Sequence, residues 1–145
     1  MRCGGCGSKV GGSILSKVMA RLRKHKVGEI KDNPHVLVGL DSPDDCAILK
    51  PPSKPGEVLV QTVDFFRSFI SDPYVFGMVA ANHALSDCHA MGAKTVSALA
   101  IAVVPYSSPP VMEELLYRIM AGANKVLEES GCTLVGGHTC EGPEL

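Results

Sequence analysis

The sequence has no hydrophobic run long enough to cross a bilayer. Its longest uncharged apolar-rich stretch, Thr95 to Tyr106, falls short of the roughly 20 residues that a spanning helix requires. Lys9, Lys17, Arg21, Arg23 and Lys24 interrupt any apolar core of a secretory leader, so no leader and no membrane association are expected. Neither a Walker A sequence nor a Gly-x-Gly-x-x-Gly is present, which removes the P-loop and classical dinucleotide readings. Charge of one sign is also missing overall, at a net of -1, but the balance is uneven along the chain. Through Lys31 there are eight basic residues against Glu29 alone, a net of +7, and the remainder carries -8. The basic stretch contains no aromatic residue on which a base could stack, so a solvated or phosphate-facing segment is expected and nucleic acid is not.

What is present suffices for one domain. The 145 residues are 46% hydrophobic and 20% charged, enough to bury a core and too little charge for disorder. Six cysteines (Cys3, Cys6, Cys46, Cys88, Cys132, Cys140) are scattered through a chain that can build its own core, which points to a reducing cytoplasm rather than a disulfide scaffold. No internal repeat or domain linker is visible.

Periodicity places the elements. Ile14, Leu15, Val18, Met19 and Leu22 share one helical face and Lys17, Arg21 and Lys24 another, predicting an amphipathic helix over Ser13 to about His25. The preceding segment, Cys3 to Gly12, is so rich in glycine that it is expected to be mobile until something binds. Val36-Leu37-Val38 predicts a short strand, followed by the acidic turn Asp41 to Asp45 and the apolar Cys46-Ala47-Ile48-Leu49. After a proline-rich loop, Val58 to Val63 predicts a strand delivering Asp64 at its end. Asp72-Pro73 marks the start of a helix reaching Met91 that is apolar on most sides and therefore expected to be buried. A strand over Thr95 to Val104, a helix over Pro110 to Ser130 and a last strand from Cys132 complete the pattern. Helices alternating with strands predict a sheet covered by helices on one face; the fold is expected to be α+β, with a mixed or antiparallel sheet backed by the two long helices.

Several groups are candidates for chemistry. Asp44 and Asp45 occupy a turn, Asp64 ends a strand, and Asp87 lies in an apolar helix where an ionised carboxylate is costly unless paired or metal-bound. Such hard oxygens suit Mg²⁺ bridging to nucleotide phosphates. The competing reading leaves Asp44 and Asp45 as solvated turn residues and pairs Asp87 with His83. Gly136-Gly137-His138-Thr139, following a strand, offers backbone N–H groups and a hydroxyl to a phosphate, or simply forms a tight turn. Cys6 and Lys9 lie three residues apart, and a nearby ammonium favours a thiolate, so a nucleophile or a chalcogen-handling thiol is one reading. Others are a redox disulfide between Cys3 and Cys6, or a zinc site completed by His138 and Cys140. Cys46, Cys88 and Cys132 read as small core residues, His25 and His35 as solvent-facing, and His83 and His89 as histidines of a buried helix.

Taken together, Cys6-Gly7-Ser8-Lys9-Val10, Asp44 to Ile48, Val60 to Phe66, Asp72-Pro73-Tyr74, Ala80 to Asp87, Ala90-Met91-Gly92 and Gly136 to Thr139 resemble the selenophosphate synthetase (selenide, water dikinase) family. That family belongs to the superfamily that includes aminoimidazole ribonucleotide synthetase. The resemblance implies synthesis of selenophosphate from ATP, selenide and water, with release of AMP and phosphate. It implies Cys6 and Lys9 as catalytic residues, with Lys9 on the ATP phosphates. Asp44 and Asp87 are implied as Mg²⁺ ligands, Asp64 as an ATP-site residue, and Gly136, Gly137, His138 and Thr139 as a nucleotide-binding turn. Ser8 stands where many relatives have a second cysteine. The implied layout is a flexible catalytic segment over residues 1–12 and an ATP-binding domain over 13–145, with the family's second domain outside this chain. The sheet is expected to pair with a second copy into a barrel across a homodimer. Alternatives are another superfamily enzyme, such as thiamine monophosphate kinase or the aminoimidazole ribonucleotide synthetase itself, or a non-catalytic nucleotide-binding dimerisation module.

Overall fold

The computed structural model describes residues 9–25, 33–40 and 46–145. Along the chain these form α1 (Gly12–Lys24), β1 (Val36–Val38), β2 (Ile48–Leu49), α2 (Pro73–Ala90), β3 (Ser97–Pro105), α3 (Pro109–Glu129) and β4 (Thr133–Gly142). Cys3, Cys6, Ser8, Asp44 and Asp45 lie outside the described residues.

α1 buries Ile14, Val18 and Leu22, one residue per turn, while its basic face meets the acidic start of α3. There Arg21 reaches Glu114 at 2.7 Å and Glu113 at 3.5 Å, and its guanidinium lies over the Tyr117 ring, 3.9 Å from the centroid. Those carboxylates hold Arg21 above its usual range, chiefly through the hydrogen bond to Glu114. α2 begins as expected. Asp72 accepts hydrogen bonds from the backbone N–H groups of Tyr74 and Val75, and Pro73 follows in the first turn. These N–H donors, with help from Arg118 at 3.1 Å, hold the Asp72 carboxyl below the usual range.

α2 and α3 pack along a seam where each presents a glycine. A Cβ on Gly77 would run into the carbonyl oxygen of Ile119, and one on Gly122 into that of Tyr74. The helix backbones therefore touch through their glycines. On its other side α3 buries Met112, Leu116 and Met120 against α1 and one face of the β3–β4 pair, forming the core with Val104 and Leu134.

The α+β class stands, with a different sheet pattern. Two separate two-stranded sheets are described, β1–β2 antiparallel and β3–β4 parallel. The parallel pairing follows from α3, because a helix between two neighbouring strands brings the chain back to start the second in the same direction. Helices cover one face of β3–β4. Ala98, Ala100, Ala102 and Val104 face the core, whereas Leu99 and Ile101 remain 67% and 62% exposed.

Val58 to Val63, expected as a strand, is extended but enters no described ladder. It continues toward the start of α2 along that helix's outer side, with Thr62, Asp64 and Phe66 touching α2 and the Ser68 N–H donating to the Leu145 carbonyl at 2.8 Å. Val58, Val63, Phe65 and Phe69 stay exposed. α2 itself is not buried all round. Phe76, Gly77 and Leu85 are covered, but His83, Asp87 and His89 are exposed, because the outer side of the helix meets only a single segment of chain, which leaves it open to solvent. Cys132 is a core residue as expected, and burial pushes its thiol up to about 11, whereas Cys46 is exposed at the entry to the two-residue β2.

Candidate functional site

Two groupings carry the chemistry-bearing side chains. The first lies between α2 and the extended segment. Asp64 Oδ2 is 3.9 Å from His83 Nε2, and Thr62 Oγ1 donates to Asp87 Oδ2 at 2.9 Å. His83 and Asp87 are four residues apart on α2, one turn along the same face. Thr62 and Asp64 are two apart on an extended chain, so they point to the same side. This match of periods, a helical turn against a strand repeat, aligns Asp64 and Asp87. The Phe66 ring meets His83 edge-on, with centroids 5.2 Å apart, and meets Phe76 in the same way at 5.7 Å. His83 thus contacts Asp64 rather than Asp87, and Asp87 is an exposed carboxylate bonded to a hydroxyl, not a buried one.

The second grouping is the edge of β4. Lys9 forms an antiparallel bridge with Cys140, and the Val10 N–H donates to the Thr139 carbonyl at 3.2 Å. Val10 is buried while Lys9 is exposed, so the end of the glycine-rich segment is seated with its lysine outward. Gly136, Gly137, His138 and Thr139, read from sequence as a turn, lie inside β4 and pair with Leu99, Ala100, Ile101 and Ala102. Gly137, at φ 150°, has no room for a Cβ, which would strike the Ala100 carbonyl. The two glycines thus let the strands continue past a bulge at Ala98/Leu99 instead of forming an open nest. His138 and Cys140 share the open face of the pair with Leu99, Ile101 and Val103, as their register shows.

Lys9 and the Gly136–Thr139 stretch are brought together on one edge, and Asp64 and Asp87 on one side of α2. Asp44 and Cys6 fall outside the described residues. Among the described residues no group of three or more His, Cys, Asp or Glu side chains is close enough to enclose a metal ion. The available donors, the exposed carboxylates of Asp64 and Asp87, are hard oxygens that fit Mg²⁺ when phosphate oxygens complete its shell. Sequence reasoning missed Thr62 as the partner of Asp87. Its spacing two residues before Asp64 was the available signal.

Residues 43–145 match the family described as AIR synthase related protein, N-terminal domain. The chain belongs to this family. Among curated proteins it is 37% identical over 142 residues to a selenide, water dikinase of Myxococcus xanthus, covering 98% of this chain and 37% of that protein. It is 39% identical to the selenide, water dikinase of Clostridioides difficile (97% and 38% covered). The figure is 43% for that of Agathobacter rectalis (94% and 37% covered). The chain therefore spans under two fifths of the length of these relatives. Among solved structures, a thiamine-monophosphate kinase from Stenotrophomonas maltophilia superposes with a TM-score of 0.66 at 26% identity, covering 88% of this chain and 38% of that one.

Proposed function

We propose that this chain is the nucleotide-binding N-terminal part of an ATP-dependent enzyme that makes selenophosphate from selenide and water, releasing AMP and phosphate. The similarity to selenide, water dikinases over almost the entire chain carries this reading. The alternative of a thiamine monophosphate kinase rests on a lower identity of 26%. Turnover belongs to the whole protein, of which this chain is the part that holds ATP.

Phosphoryl transfer needs charge neutralisation and positioning more than covalent chemistry. Lys9, held outward at the β4 edge, is a cation for the ATP phosphates, beside the backbone of Gly136 to Thr139. Asp64 and Asp87, with Asp44, would hold Mg²⁺, which when bound supplies charge neutralisation between phosphate oxygens. Thr62 and His83 orient the two described carboxylates. Cys6, in the segment that Lys9 ends, is assigned to handling selenide.

Two apolar surfaces left uncovered among the described residues support a homodimer in which this sheet is completed by a second copy. They are the Leu99–Ile101–Val103 face of β3 and the extended segment carrying Val58, Val63, Phe65 and Phe69. Exposed strand edges and apolar faces of this kind otherwise invite aggregation. The basic face of α1 spends Lys17 and Arg21 on Glu113 and Glu114, which argues against a nucleic-acid role. Among the described residues no helix is long and apolar enough to cross a membrane; the scattered cysteines of a chain that builds its own core support a reducing cytoplasm as its place of action.

The nucleophile decides between the readings. Offered ATP with selenide or with thiamine monophosphate, the full-length protein should form AMP in the first case and no ADP in the second. ADP formed from thiamine monophosphate would replace this assignment with the kinase.

A further inference from the structure

Thr62 Oγ1 donates to one oxygen of the exposed Asp87 carboxylate, Oδ2, at 2.9 Å. The contact belongs to a series that runs in step along the same two elements. Two residues on, Asp64 lies 3.9 Å from His83, and two further on, Phe66 meets His83 and Phe76 edge-on. The extended segment thus lies against α2 in one register, and a slip by a single residue would turn Thr62, Asp64 and Phe66 away from the helix together. The hydroxyl on Asp87 is placed by this register. A water on the same oxygen would leave freely, whereas the threonine is tied to its place by the chain.

We infer that Thr62 sets the ion preference of the carboxylate site, holding Asp87 as a one-oxygen ligand that suits Mg²⁺ and disfavours Ca²⁺. The inference rests on the reading of Asp87 as a Mg²⁺ ligand, and adds which ion its surroundings select. Mg²⁺ is small and demands a near-ideal octahedron, into which the narrow bite of a chelating carboxylate fits poorly. Ca²⁺ is larger, accepts flexible geometry and readily takes both oxygens of one carboxylate. A hydrogen donated to Oδ2 draws charge from that oxygen and sets a partial positive charge beside it, so Oδ1 is offered to a cation and Oδ2 is withheld. Selection then comes from penalising the larger ion as much as from attracting the smaller one. Thr62 acts through Asp87 and is a positioning residue.

The test uses the full-length protein and an ATP analogue with a methylene bridge between its β- and γ-phosphorus atoms, titrated calorimetrically in saturating Mg²⁺ or Ca²⁺. Thr62→Val keeps the branched shape on exposed, extended backbone and removes only the hydroxyl, whereas Thr62→Ser keeps the hydroxyl. Wild type should bind the analogue more tightly with Mg²⁺ than with Ca²⁺. Thr62→Val should narrow that ratio about tenfold, and Thr62→Ser should hold it within about twofold of wild type. A wild type indifferent to the ion overturns the inference, as does an unchanged ratio in Thr62→Val. Narrowing by serine as large as by valine overturns it too, because the effect would then belong to the methyl group. Asp87→Asn checks the underlying reading, and should weaken binding of the Mg²⁺ complex about tenfold. If that variant binds like wild type, Asp87 is no ligand and the inference falls with the reading. If it is weakened while Thr62→Val keeps the wild-type ratio, the reading stands and the inference alone fails.

Discussion

The two faces of β3 are built in opposite ways. Toward the helices it presents Ala98, Ala100, Ala102 and Val104, and toward the outside Leu99, Ile101 and Val103. The larger side chains are on the uncovered side. Small residues face inward where helices pack close, as Gly77 and Gly122 do where α2 meets α3. Bulky apolar residues face outward, where nothing among the described residues covers them. The covered side is finished by local packing, whereas the open side, which also carries Lys9, His138 and Cys140, is left bare among the described residues.

The largest effect should come from filling the helix seam. Gly122→Ala or Gly77→Ala forces a methyl against a carbonyl oxygen of the neighbouring helix, and should cost more than about 3 kcal/mol in urea unfolding. If either substitution is neutral, the covered side is less tightly built than described. On the open side, Ile101→Asp should leave the stability of the single chain within about 0.5 kcal/mol while weakening self-association at least about tenfold, or about 1.4 kcal/mol, by sedimentation. A strong loss of single-chain stability would show that the face is already covered.

Cys132 sharpens the contrast through pH. Its thiol is raised from 9.0 to about 11 by burial, so the folded state binds the proton more tightly than the unfolded one. Stability is then unaffected below pH 9 and falls as pH rises toward 11, by on the order of 1 kcal/mol. Cys132→Ala should flatten this part of the profile, and an unchanged slope would refute the burial argument. The smallest effect belongs to Lys17→Ala, which removes a 3.9 Å pair with Glu113 at a largely exposed lysine and should cost less than about 0.5 kcal/mol.

Much of the covered side was legible in the sequence. The i, i+4 repeat of Ile14, Val18 and Leu22 marked α1, Asp72-Pro73 marked the start of α2, and Met112, Leu116 and Met120 marked α3, because each pattern is completed by contacts within the chain. The open side was read less well. Val58 to Val63 has the composition of a strand, but a strand also needs a ladder partner, which local pattern does not reveal. The apolar composition of α2 suggested burial, whereas the helix has one packed stripe and leaves Asp87 and His83 outside. Gly136-Gly137 read as a turn because glycine pairs usually mark one. Here the missing side chains serve the close approach of β3. The candidate site residues come from motif resemblance alone, and the pairings Asp64–His83 and Thr62–Asp87 depend on how an extended segment lies on a helix.

The central claim is that the β4 edge carrying Lys9 holds the ATP phosphates for attack by selenide. Phosphorus-31 NMR of the full-length protein with Mg-ATP and selenide tests it most directly. Wild type should convert ATP to AMP, orthophosphate and selenophosphate only when selenide is present, and Lys9→Ala should abolish all three products while leaving the fold intact by circular dichroism. Selenide-independent products, or a Lys9→Ala variant that turns over like wild type, would contradict the account.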